Sequence, residues 1–293
     1  MPTISTIEQH RIAVEKGLSL LLQSTDDKYH GLRKAARYAI LGGGKRLRPV
    51  MTLAVTEALG GDIAAAIHPA CAVELIHGYS MVHDDLPCMD DDDFRRGRST
   101  LHKVVPEGIA MLTGDLLLTY AFEVLARAPG LSTEQRLQMV TTLATRSGMS
   151  GLIGGQYLDL TASSAGTEIE EVEAIHLGKT AALITAAIEF GGIISGADTA
   201  TMTTLQRFGT SLGLAFQIAD DIIDVTASEA KHGKAIGSDI ANNKATYVTL
   251  LGIEAARERA SAASNAALNT IDTLPGDLSI VKALAQQLVY REL

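Results

Sequence analysis

The chain has 293 residues, 46% hydrophobic and 20% charged, with no tryptophan and 4% aromatics, a composition that fits a globular protein whose core is filled by alanine, leucine and isoleucine. A net charge of −9 argues against nucleic-acid binding, which needs a basic face to neutralise phosphates. Two cysteines, Cys71 and Cys88, and no signal-peptide pattern point to a reducing, cytoplasmic setting, and no run of about 18 apolar residues suggests stable membrane insertion.

Apolar residues recur at three- and four-residue spacing over most of the chain, which predicts about ten or more helices. Breaks are expected at Leu41–Pro49, Gly60–Asp62, Leu86–Gly97, Ala128–Thr133, Thr161–Thr167, Gly191–Thr201, Ala227–Asn243 and Leu274–Leu278. None has the length of a flexible tether, so residues 1–293 read as one all-α domain. Sheet-forming runs are scarce, and alanine-rich Thr180–Ile188 favours closely packed helices.

The first break holds Gly42-Gly43-Gly44-Lys45-Arg46-Leu47-Arg48-Pro49. Glycines let an anion approach the backbone, and Lys45 and Arg48 offer a point charge and a planar fork. No Ser or Thr follows the lysine and no strand precedes it, so this is not a Walker A loop. An amphipathic helix is expected from about Pro69 to Asp85, ended by Pro87. His77 lies seven residues before Asp84 and so shares its face.

Six aspartates then fall within ten residues: Asp84, Asp85, Asp90, Asp91, Asp92 and Asp93. Carboxylates at a helix C-terminus oppose the macrodipole, a mismatch that a bound cation relieves. A solvated acidic turn is the plain alternative, and the spacing does not fit an EF-hand loop. Arg95-Arg96 follows, where an internal salt bridge is the simplest electrostatic reading.

Later come Lys179-Thr180 and a second acidic cluster, Gln217-Ile218-Ala219-Asp220-Asp221-Ile222-Ile223-Asp224. Asp220 and Asp224 share one helix face with Gln217, and isoleucines beside them predict burial, where unpaired carboxylates are costly. Oxygen-only donors select a hard ion, and Mg²⁺ shared with substrate phosphates fits best. Lys234 and Lys244 complete the cationic set.

In combination and order, GGGKRLRP, the two aspartate motifs, Arg95-Arg96, Gly178-Lys179-Thr180, FQIADDIID and the Gly233-to-Asp239 stretch resemble the trans-prenyl diphosphate synthases, most closely bacterial short-chain farnesyl synthases. The resemblance implies an all-α bundle around a deep cavity with the aspartate motifs facing across its mouth. It implies three Mg²⁺ held by Asp84, Asp90 and Asp220, with Asp85, Asp221 and Asp224 supporting. Arg95, Lys179, Thr180, Gln217, Lys234 and Lys244 would hold the allylic diphosphate; Lys45, Arg48, His77 and Arg96 would hold isopentenyl diphosphate. The family is usually homodimeric. An aromatic five residues before the first motif, here Tyr79 beside Ser80, accompanies C15 products. Geranyl or geranylgeranyl synthesis is the alternative reaction, and a regulatory subunit of a partner synthase the non-enzymatic one.

Overall fold

The computed structural model describes residues 2–23, 28–162, 166–226 and 244–289. Lys234 lies outside them. Helices α1 (Pro2–Leu21), α2 (His30–Ile40), α3 (Leu47–Ala58) and α4 (Ile63–Asp84) lead to a two-stranded hairpin, β1 (Phe94–Arg95) and β2 (Arg98–Ser99). Then follow α5 (Leu101–Val104), α6 (Glu107–Ala126), α7 (Thr133–Ser147), α8 (Leu152–Thr161), α9 (Ile169–His176), a π-helical turn (Leu177–Ala181) and α10 (Ala182–Ile194). Helices α11 (Thr199–Thr226), α12 (Tyr247–Leu251), α13 (Ile253–Ile271) and α14 (Ser279–Val289) complete the bundle.

The centre is built from α4 and α10. Every residue of α10 is buried, which its alanines permit by letting α3, α4, α7 and α11 pack around it. Phe190 and Phe208 anchor neighbouring halves of the core with no exposed surface; truncating a buried Phe to Ala typically costs about 3–5 kcal/mol. A third apolar cluster, including Val172, Ile218, Ile222 and Tyr247, secures the second half of α11.

Helix α4 differs from its sequence expectation. It begins at Ile63, where the Asp62 carboxylate accepts a hydrogen bond from the Ala64 amide at 2.8 Å, and Pro69 sits inside it. Its residues are buried on nearly all sides rather than along one stripe. Burial and three consecutive alanines, Ala64–Ala66, outweigh the one backbone bond that proline removes. The hairpin is likewise absent from the sequence reading. It is tied to α2 by the Tyr38 hydroxyl donating to Ser99 O at 2.8 Å, with the Arg98 guanidinium 4.3 Å from the Tyr38 ring centroid.

Two helical stretches reach the length and apolarity of a bilayer span, contrary to expectation. Ile169–Ile194 is core, 83% of its most apolar window being buried. Glu107–Ala126 is only 39% buried and presents Ile109, Met111 and Leu112 to solvent.

Candidate active site

The basic turn before α3 is organised by Arg46, which the sequence reading left without a role. Arg46 adopts a left-handed conformation, φ 51°, and is 3% exposed. Its guanidinium donates to Glu15 at 2.8 Å, to Glu74 at 2.7 Å and to Ile40 O. Burial pulls its pKa down, but Glu74 and Glu15 more than offset that. Lys45, Arg46 and Arg48 all line the cleft, with the Arg46 side chain almost fully buried against these partners. Gly44, φ 145°, is required here: a Cβ would fall 2.5 Å from Arg96 Nη1, which donates to Gly43 O at 2.5 Å.

Helix α4 ends at Asp84, and the chain folds back on its last turn. The Asp90 amide donates to Asp84 O at 2.9 Å, and the Asp91 amide to Leu86 O at 3.2 Å. Arg95 clasps Asp85 from the hairpin, Nε at 2.7 Å and Nη2 at 2.6 Å from Oδ1, and touches Asp92 at 3.4 Å. The simplest electrostatic reading of Arg95 is therefore met, and Arg95 still lines the cleft. Asp90 is exposed. Asp84 is 6% exposed, and its side chain takes no hydrogen bond or ion pair from the described residues. Burial pushes its carboxyl up to about 6, against the pull of Lys179. A buried carboxyl whose charged form is disfavoured by desolvation fits a divalent cation, which would stabilise that charge.

On the opposite wall, Lys179 and Thr180 lie in the π-helical turn, a distortion often found at functional sites. Close approach of α8 sets it: a Cβ on Gly155 would fall 2.0 Å from the Lys179 amide nitrogen. Lys179 Nζ donates to Asp159 at 2.6 Å, and Lys244 Nζ lies 3.7 Å from the same oxygen. Burial pushes the Asp159 carboxyl up, but the two lysines hold it below the usual carboxylate range. Thr180 donates to Gln217 Oε1 at 2.8 Å.

Asp220 faces the cleft and Asp224 is half-buried, whereas Asp221 points into the core. One Asp221 oxygen lies 3.0 Å from His176 Nε2 and accepts from the Tyr247 amide at 3.0 Å. Tyr247 stacks on His176, centroids 5.6 Å apart, and donates to Glu173 at 3.3 Å. Sequence reasoning missed Asp159, His176 and Tyr247. Asp159 carried a signal, since no other charge occurs between Ser147 and Thr167; the other two carried none.

One cleft joins these walls. It is lined by Lys45, Arg48, His77, Arg95, Arg96, Lys179, Thr180, Gln217 and Asp220, nine of the predicted residues from both halves of the chain. Asp85 lines an adjoining recess with His77, Arg95 and Arg96. His77 is held well below its ordinary pKa by burial and then by Arg48, Arg96, Arg95 and Arg46, so its imidazole is neutral at pH 7. Burial also lowers Arg96. This concentration of cationic groups around a neutral donor suits a phosphorylated anion.

Tyr79 is buried, edge-on to His83 at 5.7 Å, its hydroxyl without a partner; it is not among the residues lining this cleft. Ser80 is buried and donates to His77 O at 2.9 Å. Among the described residues, the predicted metal-ligating aspartates bring no three carboxylates together at one point. Mg²⁺ does not require it, since one or two carboxylates with substrate phosphates suffice.

Residues 30–284 match the Polyprenyl synthetase family model. The chain is 41% identical to the farnesyl diphosphate synthase of Bacillus subtilis (strain 168), over 97% of this chain and 95% of that one. It is 42% identical to a chloroplastic geranylgeranyl pyrophosphate synthase of Catharanthus roseus, over 89% and 74% respectively. A solved FPP/GFPP synthase from Zymomonas mobilis superposes with a TM-score of 0.88 at 33% identity, covering 98% of this chain and 99% of that one. A helical bundle of this shape, with cationic and acidic groups from both halves converging on one cleft, and a match spanning most of its length place the chain in the polyprenyl synthetase family.

Proposed function

We propose that this chain condenses dimethylallyl or geranyl diphosphate with isopentenyl diphosphate to form farnesyl diphosphate. The observation that carries this reading is the shared cleft, where Lys179, Thr180, Gln217 and Asp220 meet Lys45, Arg48, His77, Arg95 and Arg96. Prenyl transfer is the chemistry of the family; the C15 product and the residue roles are the finer part of the proposal.

Asp84, Asp90 and Asp220, supported by Asp85 and Asp224, would hold Mg²⁺, three ions in the full complex, which when bound neutralises charge on the departing diphosphate. Lys179 and Arg95 add fixed positive charge where the allylic C–O bond ionises, and Thr180, Gln217, Lys234 and Lys244 position the same diphosphate. Lys45, Arg48, Arg96 and neutral His77 grip isopentenyl diphosphate, so that its double bond waits beside the allylic carbon. That carbon forms the new C–C bond, and the proton lost from the isopentenyl unit passes to the released diphosphate. Asp221 serves the site through the helix: its bonds to His176 and Tyr247 fix α11 beneath Asp220.

A geranylgeranyl or geranyl product is the second reading, favoured by an identity to a geranylgeranyl synthase (42%) as high as that to the farnesyl synthase (41%). The C15 reading rests on the family resemblance at Tyr79, one turn and a half before Asp84, although Tyr79 does not itself line the cleft. The exposed apolar face of α6 supports a homodimer. The two thiols support a reducing cytoplasm: among the described residues both are free, with Cys71 pushed up to about 12 by burial. Purified protein incubated with Mg²⁺, labelled isopentenyl diphosphate and either allylic diphosphate tests the proposal. C15 should accumulate in wild type and longer chains in Tyr79→Ala. Absence of any condensation would reject it in favour of a regulatory subunit, and an unchanged product ladder would remove Tyr79 from length control.

A further inference from the structure

The acidic loop contains a second constellation, outside the lining of the cleft. One ligand atom each from Asp91, Asp93 and His102 lie within 4.8 Å of one another. The two carboxylates are exposed, but the His102 side chain is only 4% accessible, and its Nε2 has no hydrogen-bond partner. That nitrogen faces Asp91 Oδ1 at 3.9 Å.

The proton inventory assigns the tautomer. The single Thr100 hydroxyl hydrogen goes to Asp92 O at 2.7 Å, with Asp93 O at 3.3 Å. Its 3.3 Å contact with His102 Nδ1 is therefore satisfied when the ring donates. Nδ1 of the neutral ring carries the proton, and Nε2 turns a lone pair toward the carboxylates. Metal-ligating histidines are held in this way, one nitrogen donating to a fixed oxygen while the other binds. A buried acceptor left unmatched is otherwise unfavourable.

We propose that Asp91, Asp93 and His102 form a binding site for a divalent transition metal, separate from the magnesium site. One imidazole nitrogen with two carboxylates suits Zn²⁺, Mn²⁺ or Co²⁺, whereas Mg²⁺ prefers oxygen alone. Bonds of about 2.0–2.2 Å require the three atoms to draw in. Asp91 and Asp93 side chains are 61% and 60% exposed and able to turn, while the backbone between them is braced by Asp91 N–H to Leu86 O and Thr100 N–H to Asp93 O. Among the described residues, Lys103, 2.6 Å from Asp93 Oδ1, competes for the site; it is exposed enough to remain on one carboxylate oxygen while the other binds. An ion here ties the acidic loop to the start of α5, and so braces the hairpin that carries Arg95. It touches no reacting atom.

Co²⁺ is the probe, because its visible absorption reports nitrogen and oxygen ligation. The full chain is first saturated with Mg²⁺ and inorganic diphosphate, so that the aspartate motifs are occupied, and then titrated with Co²⁺. A saturable band with a single equivalent, displaced by Zn²⁺, is expected. His102→Ala and the exposed Asp91→Asn should each weaken Co²⁺ binding at least about tenfold, while Asp220→Ala leaves the band in place. No band in wild type, a band indifferent to both His102→Ala and Asp91→Asn, or one abolished by Asp220→Ala would overturn the assignment. None of these outcomes depends on prenyl transfer.

Discussion

The two aspartate motifs, to which we assign the same chemistry, sit on opposite kinds of scaffold. Around Asp84 and Asp85 the order comes from the main chain, which folds back through Asp90 and Asp91 amides onto the last turn of α4, while Asp90, Asp91 and Asp93 remain exposed. Around Asp220 the backbone is regular helix and the order comes from side chains: buried Asp221 joins His176 and the Tyr247 amide, beside the apolar cluster of Ile218 and Ile222. Solvent lets the loop tolerate dense negative charge. The helix, with like charges at i and i+4, stands only because its other face is locked into the core. Substitutions should therefore impair chemistry in both motifs but stability mainly in the second.

The largest effects test the shared chemistry. Asp84→Ala and Asp220→Ala should each lower turnover by about 10² or more, the usual loss when transition-state charge stabilisation is removed; steady-state rates at saturating Mg²⁺ decide it. Near-wild-type turnover in both variants would remove them from the metal assignment. Asp221→Ala separates the motifs. It leaves His176 and the Tyr247 amide unmatched in a buried place, and a loss of about 2–4 kcal/mol is expected from the denaturant midpoint. An unchanged midpoint would show that the second motif does not depend on its buried anchor.

A smaller effect of opposite sign belongs to Asp84. Its folded carboxyl titrates near 6, raised by burial, so the folded chain binds this proton more tightly than the unfolded chain, where an aspartate titrates at about 3.9. Ionisation of Asp84 thus opposes folding: the metal-free protein loses stability as pH rises from about 4 to 6, and above that range the loss persists. In chelator at pH 7.5, Asp84→Asn should be more stable than wild type by about 1–3 kcal/mol. The difference should close as pH falls toward 4. Paired thermal melts across that range check both sign and window, and a difference independent of pH would place its origin elsewhere.

How much of this was legible in the sequence follows the same division. Helical periodicity and the i, i+4 spacing of Asp220 and Asp224 are local, and they gave the fold class and the face of α11. The cleft also emerged, because cationic turns and aspartates are marked by residue type. Three features were hidden because they depend on distant partners. Pro69 read as a helix start, since nothing local reveals that burial carries α4 through it from Ile63. Arg46 looked like its neighbours Lys45 and Arg48, and only Glu15 and Glu74, 31 and 28 residues away, turn it inward. The π-turn at Lys179 arises where two backbones touch at Gly155 and Gly178, a contact between helices that periodicity within either one cannot register.

Asp159 gives the smallest effect and the finest test of the second wall. It is bonded to Lys179 and lies near Lys244, so two roles compete: it aims both lysines at the allylic diphosphate, and its charge weakens the field they exert. Asp159→Asn keeps an acceptor for Lys179 but removes the charge. Exchanging a charged for a neutral hydrogen bond is worth about 1 kcal/mol. If aiming dominates, kcat/KM for the allylic diphosphate falls about fivefold while KM for isopentenyl diphosphate holds, because Lys45, Arg48 and Arg96 belong to the opposite wall. If the field dominates, the freed positive charge is felt across the cleft and both KM values fall together. The 2.6 Å bond to a carboxylate held charged by two lysines favours aiming, and varying each substrate in turn distinguishes the two.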